Sequence, residues 1–327
     1  MRNRFSAEEA GQFCRTLGNI PETLALRVYT SRLIGQEESL VLHGGGNTSA
    51  KATVVNILGE PLEVLYIKGS GWDLATIEAA GFPALDLAYL RKLRALETLS
   101  DEAMVNQFRT HLLDASAPNP SIETLVHAFL PHRFIDHTHA DAIVTLTNLA
   151  DGAAKLREAL GEKIAILPFI MPGFPLAKAM AELDEQQPAV EAIILMHHGI
   201  FTFADDAQTA YDRMIDYVSR AEAFLAAAAK KAKPMATKAG TTPAPEVVLP
   251  LLRGAVSPAG KAMVLHLRQS PEVLAALARP DAEALFATGV LTPDHVIRTK
   301  NYPLFLDLAG KTDEAAMAAQ IAEKVAA

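Results

Sequence analysis

The chain has 327 residues, of which 50% are hydrophobic and 21% charged, and its formal net charge is −8 at pH 7. This length allows one large domain or a domain with an appendage, and the apolar content suffices for a full core. The negative charge argues against a general nucleic-acid binder, whose affinity would depend on lysine and arginine at the phosphates.

The single cysteine, Cys14, cannot form an internal disulfide and is typical of a reducing compartment. The first 18 residues contain no apolar stretch of the signal-peptide type, and no run approaches the ~20 apolar residues of a membrane span. We therefore expect a soluble, cytoplasmic, globular protein that binds neither membranes nor nucleic acids.

A glycine-rich loop follows the first predicted helices. Residues 39–55 read SLVLHGGGNTSAKATVV and predict a short apolar strand, a loop that contains Gly46, Asn47 and Ser49, and a return strand. Glycines let the backbone approach a ligand closely, and successive free amides can bind an anion. The alternative is a simple glycine-rich hairpin, and the spacing matches neither a Walker loop nor a dinucleotide fingerprint.

A second glycine loop comes soon afterwards. The letters VLYIKGSGWDLA predict a strand over residues 64–67 that ends in Lys68, with Ser70 and Gly71 in the loop. A lysine beside a serine between glycines can hold a phosphate or a carboxylate, and the alternative is again a turn. Residues 83–115 are then predicted to be helical, with leucines on a core face.

The central segment, NPSIETLVHAFLPHRFIDHTHAD, predicts a helix followed by a strand. Asn119 can cap the helix, and Pro120 suits its first position. The helix would then carry Glu123 and His127 on one face, because they lie four residues apart.

Four further histidines flank two predicted strands. His137 and His139 alternate in an extended segment and therefore point to the same side. The continuous apolar run AIILM predicts a strand buried on both faces, and it is followed by His197 and His198. Adjacent strand residues face opposite sides, so only one of this pair can join the first two. Three protein ligands and an open fourth position are typical of a catalytic metal site, whereas an isolated core histidine is usually structural.

The last third of the chain predicts a smaller unit. Residues 231–245 have the composition of a linker, which separates a catalytic domain at 1–230 from an extension at 246–327. Within the extension, residues 261–268 predict a strand, and capped helices and a final alanine-rich amphipathic helix follow it.

A basic cluster lies within this extension. His295, Arg298 and Lys300 can together bind an anion, and the alternative is a polar turn before a strand.

Five motifs in order, HGGGNTSAK, IKGSG, NPSIETLVHAF, DHTHADA and MHHGIFTF, resemble the class II aldolase/adducin family. The resemblance is closest to the aldolase half of fused rhamnulose-phosphate aldolase/short-chain dehydrogenase proteins. The segment TPDHVIRTKNYPLF resembles the region after the aldolase core in those fusions, so the resemblance covers nearly the whole chain. No dehydrogenase fingerprint follows Leu308, and we therefore expect the aldolase portion alone.

The resemblance implies a three-layer α/β/α fold around a central, largely antiparallel sheet, with a small C-terminal α/β extension. It also implies a homotetramer with sites near subunit interfaces and a divalent metal, commonly zinc, on His137, His139 and His198. Glu123 would be the base. The residues matching the family's substrate-phosphate contacts are Gly46, Asn47, Ser49, Ser70, Gly71 and Ser121, with Lys68 close by and His127 as a possible accessory residue.

The leading hypothesis is a ketose 1-phosphate aldolase that releases dihydroxyacetone phosphate and a short aldehyde through a metal-stabilised enediolate. A pentulose-phosphate 4-epimerase or a sugar-acid phosphate decarboxylase would share this chemistry, and an adducin-like binding protein would lack catalysis.

One family feature is missing from the pattern. Family aldolases often use a tyrosine to protonate the leaving aldehyde oxygen, and no tyrosine lies between His139 and Tyr211. The remaining candidates for this acid are Tyr211, Tyr302, His132 and His295.

Overall fold

The computed structural model describes residues 1–231 and 242–326, which fall into two compact units. The first unit comprises residues 1–231 together with residues 291–298, and the second comprises the remaining described residues. Most of the segment predicted as a linker, residues 232–241, lies outside the described residues.

A seven-stranded mixed sheet forms the centre of the first unit. Its strands are β1 (Asn47–Val55), β2 (Pro61–Ile67), β3 (Ala84–Asp86), β4 (Phe134–Thr138), β5 (Ile164–Leu167), β6 (Ala192–Leu195) and β7 (Gly199–Ala204). They lie in the order β3-β2-β1-β4-β7-β6-β5, which places β4 in the middle. Only β5 and β6 pair in parallel, so the prediction of a largely antiparallel sheet is confirmed.

Helices surround the sheet and build the second unit. They are α1 (Ala7–Thr16), α2 (Glu22–Gly35), α3 (Leu87–Lys92), α4 (Asp101–Thr110), α5 (Thr124–Phe129), α6 (Asp141–Thr147), α7 (Gly152–Leu160), α8 (Phe174–Gln186), α9 (Ala207–Lys231), α10 (Pro245–Val256), α11 (Pro271–Leu277), α12 (Ala282–Phe286), α13 (Pro293–Arg298) and α14 (Glu314–Ala326). Two short 3₁₀ turns cover Ala79–Gly81 and Leu93–Ala95.

Two hydrophobic clusters cover the two faces of the sheet. One is formed with α2, α6, α7 and α9, and the other with α3, α4, α5 and α8. Alternate residues of β6 show the division, because Ile194 belongs to the first cluster and Ile193 to the second. A strand covered on both faces must be apolar throughout, which explains the continuous AIILM run. The predicted three-layer α/β/α arrangement is confirmed.

A buried ion pair ties α2 to the middle of the sheet. Nη2 of Arg27 on α2 lies 2.5 Å from Oδ1 of Asp136 on β4, and both side chains are fully buried. The guanidinium also donates hydrogen bonds to the backbone oxygens of Ser49 on β1 and Ile135 on β4. Burial lowers the pKa of Arg27 and raises the pKa of Asp136, because desolvation outweighs their mutual attraction.

Two local predictions near the glycine loops are wrong. Residues 39–43 form no strand; Leu40 and Val41 are buried in the core from a loop, which gives an apolar run without strand geometry. The central helix starts at Thr124 rather than at Pro120. Pro120 instead forms an isolated β-bridge with Gly69, which draws this segment towards the second glycine loop.

The segment predicted as helical over residues 83–115 also differs. It begins with β3, where Leu85 pairs with Leu65 of β2, and only then forms α3 and α4. The edge pairing of β3 outweighs the helical spacing of the leucines, as tertiary contacts often do.

The second unit is built from helices in its described part. Helices α10 and α14 pack around Leu308, Met317 and Ile321. The helices predicted near residues 270–278 and at the alanine-rich end are confirmed, and Ser270 caps the former. The strand predicted at residues 261–268 is wrong, because that segment has no regular secondary structure.

Across the described ranges, 1–231 and 242–326, no helix combines the length and the apolar character that crossing a membrane would need.

We expect Arg27→Met to lower the free energy of unfolding by about 3–5 kcal/mol, because Asp136 would be left as a buried, uncompensated charge. The double variant Arg27→Met/Asp136→Leu should lose much less than the sum of the two single variants. Trp72, the chain's single tryptophan, lies in the first unit, so its fluorescence during urea unfolding measures the relevant transition.

The matched control is Arg94→Met, which removes the exposed pair of Arg94 and Glu185. An exposed ion pair contributes only about 0–1 kcal/mol, so this variant should unfold almost like the parent. Fully additive losses in the double variant would show that Arg27 and Asp136 are not coupled.

Candidate metal centre and its carboxylate

Three buried histidines converge at one end of the central strands. His137 is the penultimate residue of β4, His139 follows that strand, and His198 lies in the turn between β6 and β7. One ring nitrogen from each histidine lies within 4.8 Å of the other two. The structure therefore brings together the three histidines that the family resemblance implies as metal ligands.

The hydrogen bonds of two rings determine which nitrogen faces the cluster. Nδ1 of His137 lies 3.0 Å from the backbone oxygen of Ile200, and Nδ1 of His139 lies 2.7 Å from Oδ1 of Asp294. A carbonyl and a carboxylate only accept hydrogen bonds, so Nδ1 carries the proton in each ring. Nε2 is then the nitrogen with a lone pair available for a ligand.

Burial favours the neutral form of two of these imidazoles, His137 and His198. Burial lowers the pKa of His137 to about 3, although Glu123 opposes the shift. Burial also lowers the pKa of His198. The neutral imidazole is the form that binds metal ions.

The side chains of His197 and His198 point to different surroundings, but strand alternation is not the cause. His197 and His198 lie in a turn, and His197 has a positive φ of 60°. The exposed His197 bonds to Asn148, at 3.0 Å between Nδ1 and Oδ1, while His198 is buried. As predicted, only one histidine of this pair joins the cluster. The turn, rather than strand alternation, sends the two side chains to different places.

Glu123 lies beside the histidine cluster at the N-cap of α5 and is 4% exposed. Its Oε2 is 3.4 Å from Nε2 of His137, and its Oε1 is 3.7 Å from Nε2 of His198. Burial acts to raise the pKa of Glu123, but His137, His198 and a hydrogen bond from Asn47 together lower it to about 2. The side chain is therefore a carboxylate at neutral pH.

A hydrogen-bond chain holds that carboxylate from behind. Nδ2 of Asn47 donates to Oε2 of Glu123 at 2.6 Å, and Oδ1 of Asn47 lies 2.5 Å from Nε2 of His127. Nδ1 of His127 lies 2.7 Å from Oγ of Ser49. Asn47 is 4% exposed, and His127 and Ser49 are fully buried. These contacts occupy the side chains of Asn47 and Ser49, so they do not support the predicted phosphate contact by Ser49.

The two glycine loops lie against each other. A Cβ on Gly44 would come within 3.1 Å of the Gly71 oxygen, and Gly44 itself has a positive φ of 90°. Gly46 also has a positive φ, and a Cβ there would lie 2.7 Å from the backbone oxygen of His137. Glycine at position 46 thus allows the loop to approach β4 at the ligand histidine.

The remaining predicted phosphate residues surround these loops. Lys68 is 2% exposed and donates to the Gly44 oxygen at 2.7 Å, and burial lowers its pKa to about 8. Ser70 and Gly71 are exposed, whereas Ser121 is 8% exposed and its Oγ accepts a hydrogen bond from the amide of Glu123.

The basic cluster predicted in the C-terminal segment is divided in the structure. Nε of Arg298 donates to the His43 oxygen at 2.5 Å, next to the first glycine loop. His295 on α13 bonds to Thr292, the residue directly before that helix, and Lys300 belongs to the second unit.

Among the other candidate acids, Tyr211 is 1% exposed and its hydroxyl accepts a hydrogen bond from the Arg4 amide. His132 bonds to Asp184 at the opposite end of β4 from His139.

Sequence reasoning missed one buried carboxylate at the cluster. Asp294 on α13 is 3% exposed and bonds to His139. The only signal was the aspartate that ends the Thr-Pro-Asp segment beside His295. Nothing in the spacing connects it to a histidine 155 residues earlier.

The donor set fits a divalent cation. Oε1 of Glu123 and Nε2 of His137 are buried and have no hydrogen-bond partner. Such orphaned groups are rare in folded proteins, and both of these belong to residues of the cluster and its carboxylate. Three imidazoles beside a carboxylate match the nitrogen and oxygen ligands of a catalytic metal site.

Comparisons with known proteins agree with this architecture. The family model of the class II aldolase and adducin N-terminal domain matches residues 25–225, and that of the second domain of class II aldolases matches residues 243–327. A Bacillus subtilis (strain 168) protein described as uncharacterized oxidoreductase YuxG is 34% identical over 303 residues, which are 90% of this chain and 44% of that protein. The chain therefore spans less than half the length of this relative.

Two solved structures share the fold of the first unit. The N-terminal class II aldolase domain of a conserved Thermoplasma acidophilum protein is 38% identical, with a TM-score of 0.62, over 69% of this chain and 99% of that one. A sugar-phosphate aldolase from Thermotoga maritima is 18% identical, with a TM-score of 0.50, over 65% of this chain and 97% of that one, which shows the fold alone. On the family match and the domain architecture, the chain belongs to the class II aldolase and adducin family.

Proposed function

We propose that the protein is a metal-dependent aldolase that cleaves a ketose 1-phosphate, of the rhamnulose or fuculose type, into dihydroxyacetone phosphate and a short aldehyde. The observation that carries the proposal is the Glu123 carboxylate, which is buried within 3.4–3.7 Å of two of the three clustered imidazoles. A structural core does not need an ionised carboxylate beside two histidines, His137 and His198, whose pKa values are lowered by burial.

His137, His139 and His198 would hold the metal ion, for which Zn²⁺ is our choice because tetrahedral nitrogen sites suit it. When bound, such an ion acts as a Lewis acid that stabilises the negative charge developing on substrate oxygens as the carbon–carbon bond breaks. The protein's part is to fix the three rings, and the bonds to Ile200 and Asp294 do so for two of them.

Glu123 would move the proton at the reacting carbon. In the cleavage direction the substrate hydroxyl that becomes the aldehyde oxygen gives up its proton as the carbon–carbon bond breaks, and Glu123 would pass one proton to the carbon that leaves as dihydroxyacetone phosphate, so that protons balance. In the reverse direction the carboxylate removes that carbon-bound proton. Asn47 holds Oε2, so Oε1, which has no hydrogen-bond partner, is the oxygen left for the proton. His127 orients Asn47 in turn, which makes both residues positioning groups for the base.

The substrate phosphate would lie at the two adjacent glycine loops. Of the six family-matched positions, Gly46, Ser70, Gly71 and Ser121 remain for this role, because the side chains of Asn47 and Ser49 bond to Glu123 and His127. Lys68 supports the first loop through its hydrogen bond to the Gly44 oxygen. The exposed Arg298 adds a positive charge beside the same loop. A guanidinium suits phosphate recognition because it offers several donors in a fixed plane.

The same residues would also serve a pentulose-phosphate 4-epimerase or a sugar-acid phosphate decarboxylase. We favour the aldolase on the match of five motifs to aldolases of the fused type. The proposal includes a homotetramer in the cytoplasm, in keeping with the family resemblance and the single cysteine.

We expect the Zn²⁺-loaded protein to release dihydroxyacetone phosphate from a panel of ketose 1-phosphates, and Glu123→Gln to slow the release by at least about 10²-fold, as loss of a general base does. In deuterated water, the parent should also exchange a carbon-bound proton of dihydroxyacetone phosphate without any aldehyde. Proton NMR measures this exchange, and Glu123→Gln should abolish it.

The control for this experiment is that Glu123→Gln binds Zn²⁺ and unfolds like the parent. If the metal-loaded, folded parent shows neither release of dihydroxyacetone phosphate nor proton exchange, the aldolase proposal is ruled out. The panel should then be extended to pentulose 5-phosphates and sugar-acid phosphates.

We expect His198→Ala to weaken Zn²⁺ binding by at least about 10²-fold, because one of three protein ligands is lost. His139→Ala should do the same while keeping its fold. Equilibrium dialysis followed by metal analysis gives both affinity and stoichiometry, and the parent should bind one ion per chain.

The neighbouring substitution His197→Ala is the matched control, since His197 is exposed and bonds to Asn148. It should leave Zn²⁺ affinity unchanged. Equal losses in His197→Ala and His198→Ala would contradict the ligand assignment.

A further inference from the structure

Asp294 connects the C-terminal segment to the histidine cluster. It lies on α13, which is separated from the rest of the first unit by residues 232–290 yet belongs to that unit. Its carboxylate is 3% exposed, which is unusual for an aspartate and requires compensating hydrogen bonds.

Both carboxylate oxygens have specific partners. Oδ1 lies 2.7 Å from Nδ1 of His139, and Oδ2 accepts a hydrogen bond of 2.8 Å from the amide of Leu42. The Leu42 bond fixes the carboxylate against the start of the first glycine loop, so the carboxylate cannot rotate away from His139 without losing a second hydrogen bond.

The loop itself is shaped around this carboxylate. A Cβ on Gly45 would lie 1.5 Å from Oδ1 of Asp294, so only glycine can occupy that position while Asp294 stays in place. Four residues further along α13, Arg298 bonds to the His43 oxygen on the same loop. Two side chains of one short helix therefore hold one segment of the glycine loop.

We propose that Asp294 is a positioning residue for the metal centre, which fixes the tautomer and the ring orientation of His139 so that Nε2 faces the other two histidines. The proposal rests on the metal site described under the proposed function. The residue does not touch the substrate, and its effect passes through His139.

The physical reason is the hydrogen-bonding capacity of the groups. An ionised carboxylate only accepts, so it keeps the proton on Nδ1 of His139 and leaves the Nε2 lone pair free. Carboxylates behind metal-binding histidines also raise the basicity of the ring, and removing one typically weakens metal binding by about 10–100-fold.

The test uses Asp294→Asn, which keeps the shape of the side chain. Its amide has one acceptor oxygen, but two donors, His139 Nδ1–H and the Leu42 amide, face it. We expect Zn²⁺ affinity, measured by competition with a chromophoric chelator, to fall by about 10–100-fold. Asp294→Ala provides a second variant that removes the acceptor entirely.

A second measurement does not need bound metal or activity. Nitrogen-15 NMR of the histidine side chains in metal-free protein distinguishes the two neutral tautomers, and the His139 signals are those missing from His139→Gln. The parent should show His139 protonated at Nδ1 alone, whereas Asp294→Asn should show a shift towards the Nε2-protonated form.

The matched control is Asp184→Asn, because Asp184 is also buried and also bonds to a histidine, His132, at 2.9 Å. It lies on α8, away from the cluster, and should leave both Zn²⁺ affinity and the His139 signals unchanged.

An unchanged tautomer of His139 together with parental Zn²⁺ affinity in folded Asp294→Asn would overturn the inference. This outcome is distinct from failure of the aldolase proposal, which would appear as a metal-loaded parent without turnover.

Discussion

The buried ion pair of Arg27 and Asp136 is the constraint that fixes β4, the strand that carries His137. Asp136 directly precedes His137 on β4 and faces the opposite side of the sheet, so the ion pair fixes the strand from one face while the histidine serves the other. The same guanidinium bonds to backbone oxygens of β1 and β4, and Asn47 is the cross-strand partner of His137 on these strands. A charge buried for structure thus helps to set the separation between His137, the proposed metal ligand, and Asn47, the proposed positioning residue for the base.

The protonation states and hydrogen bonds of the site depend on one another. Burial lowers the pKa of His137 and of His198, while the neighbouring histidines and the hydrogen bond from Asn47 lower the pKa of Glu123 in spite of its burial. Asn47 is the pivotal group, because its amide donates to Glu123 on one side and faces His127 on the other. The polar residues at the rear of the site therefore form a continuous network in which each side chain has one orientation, and networks of this kind hold catalytic groups in place.

The sequence predicted what depends on local pattern. Alternation placed His137 and His139 together, and the apolar run of β6 revealed a strand covered on both faces. It failed where distant contacts decide the structure: Leu40 and Val41 resemble a strand but fill the core from a loop, and Pro120 pairs with Gly69 instead of starting a helix. The roles of Ser49 and Asp294 likewise depend on partners 78 and 155 residues away, which no spacing rule can show.

The close approach of Gly45 to Asp294 couples the residues that these two positions can hold. The glycine lies in the segment matched by the N-terminal family model, and the aspartate in the segment matched by the model of the second domain. Any side chain at position 45 collides with the carboxylate, so the two positions are not free to drift separately. A side chain at position 45 therefore fits only if the carboxylate at position 294 is removed or moved. Residue choice in the first matched segment thus depends directly on a side chain of the second.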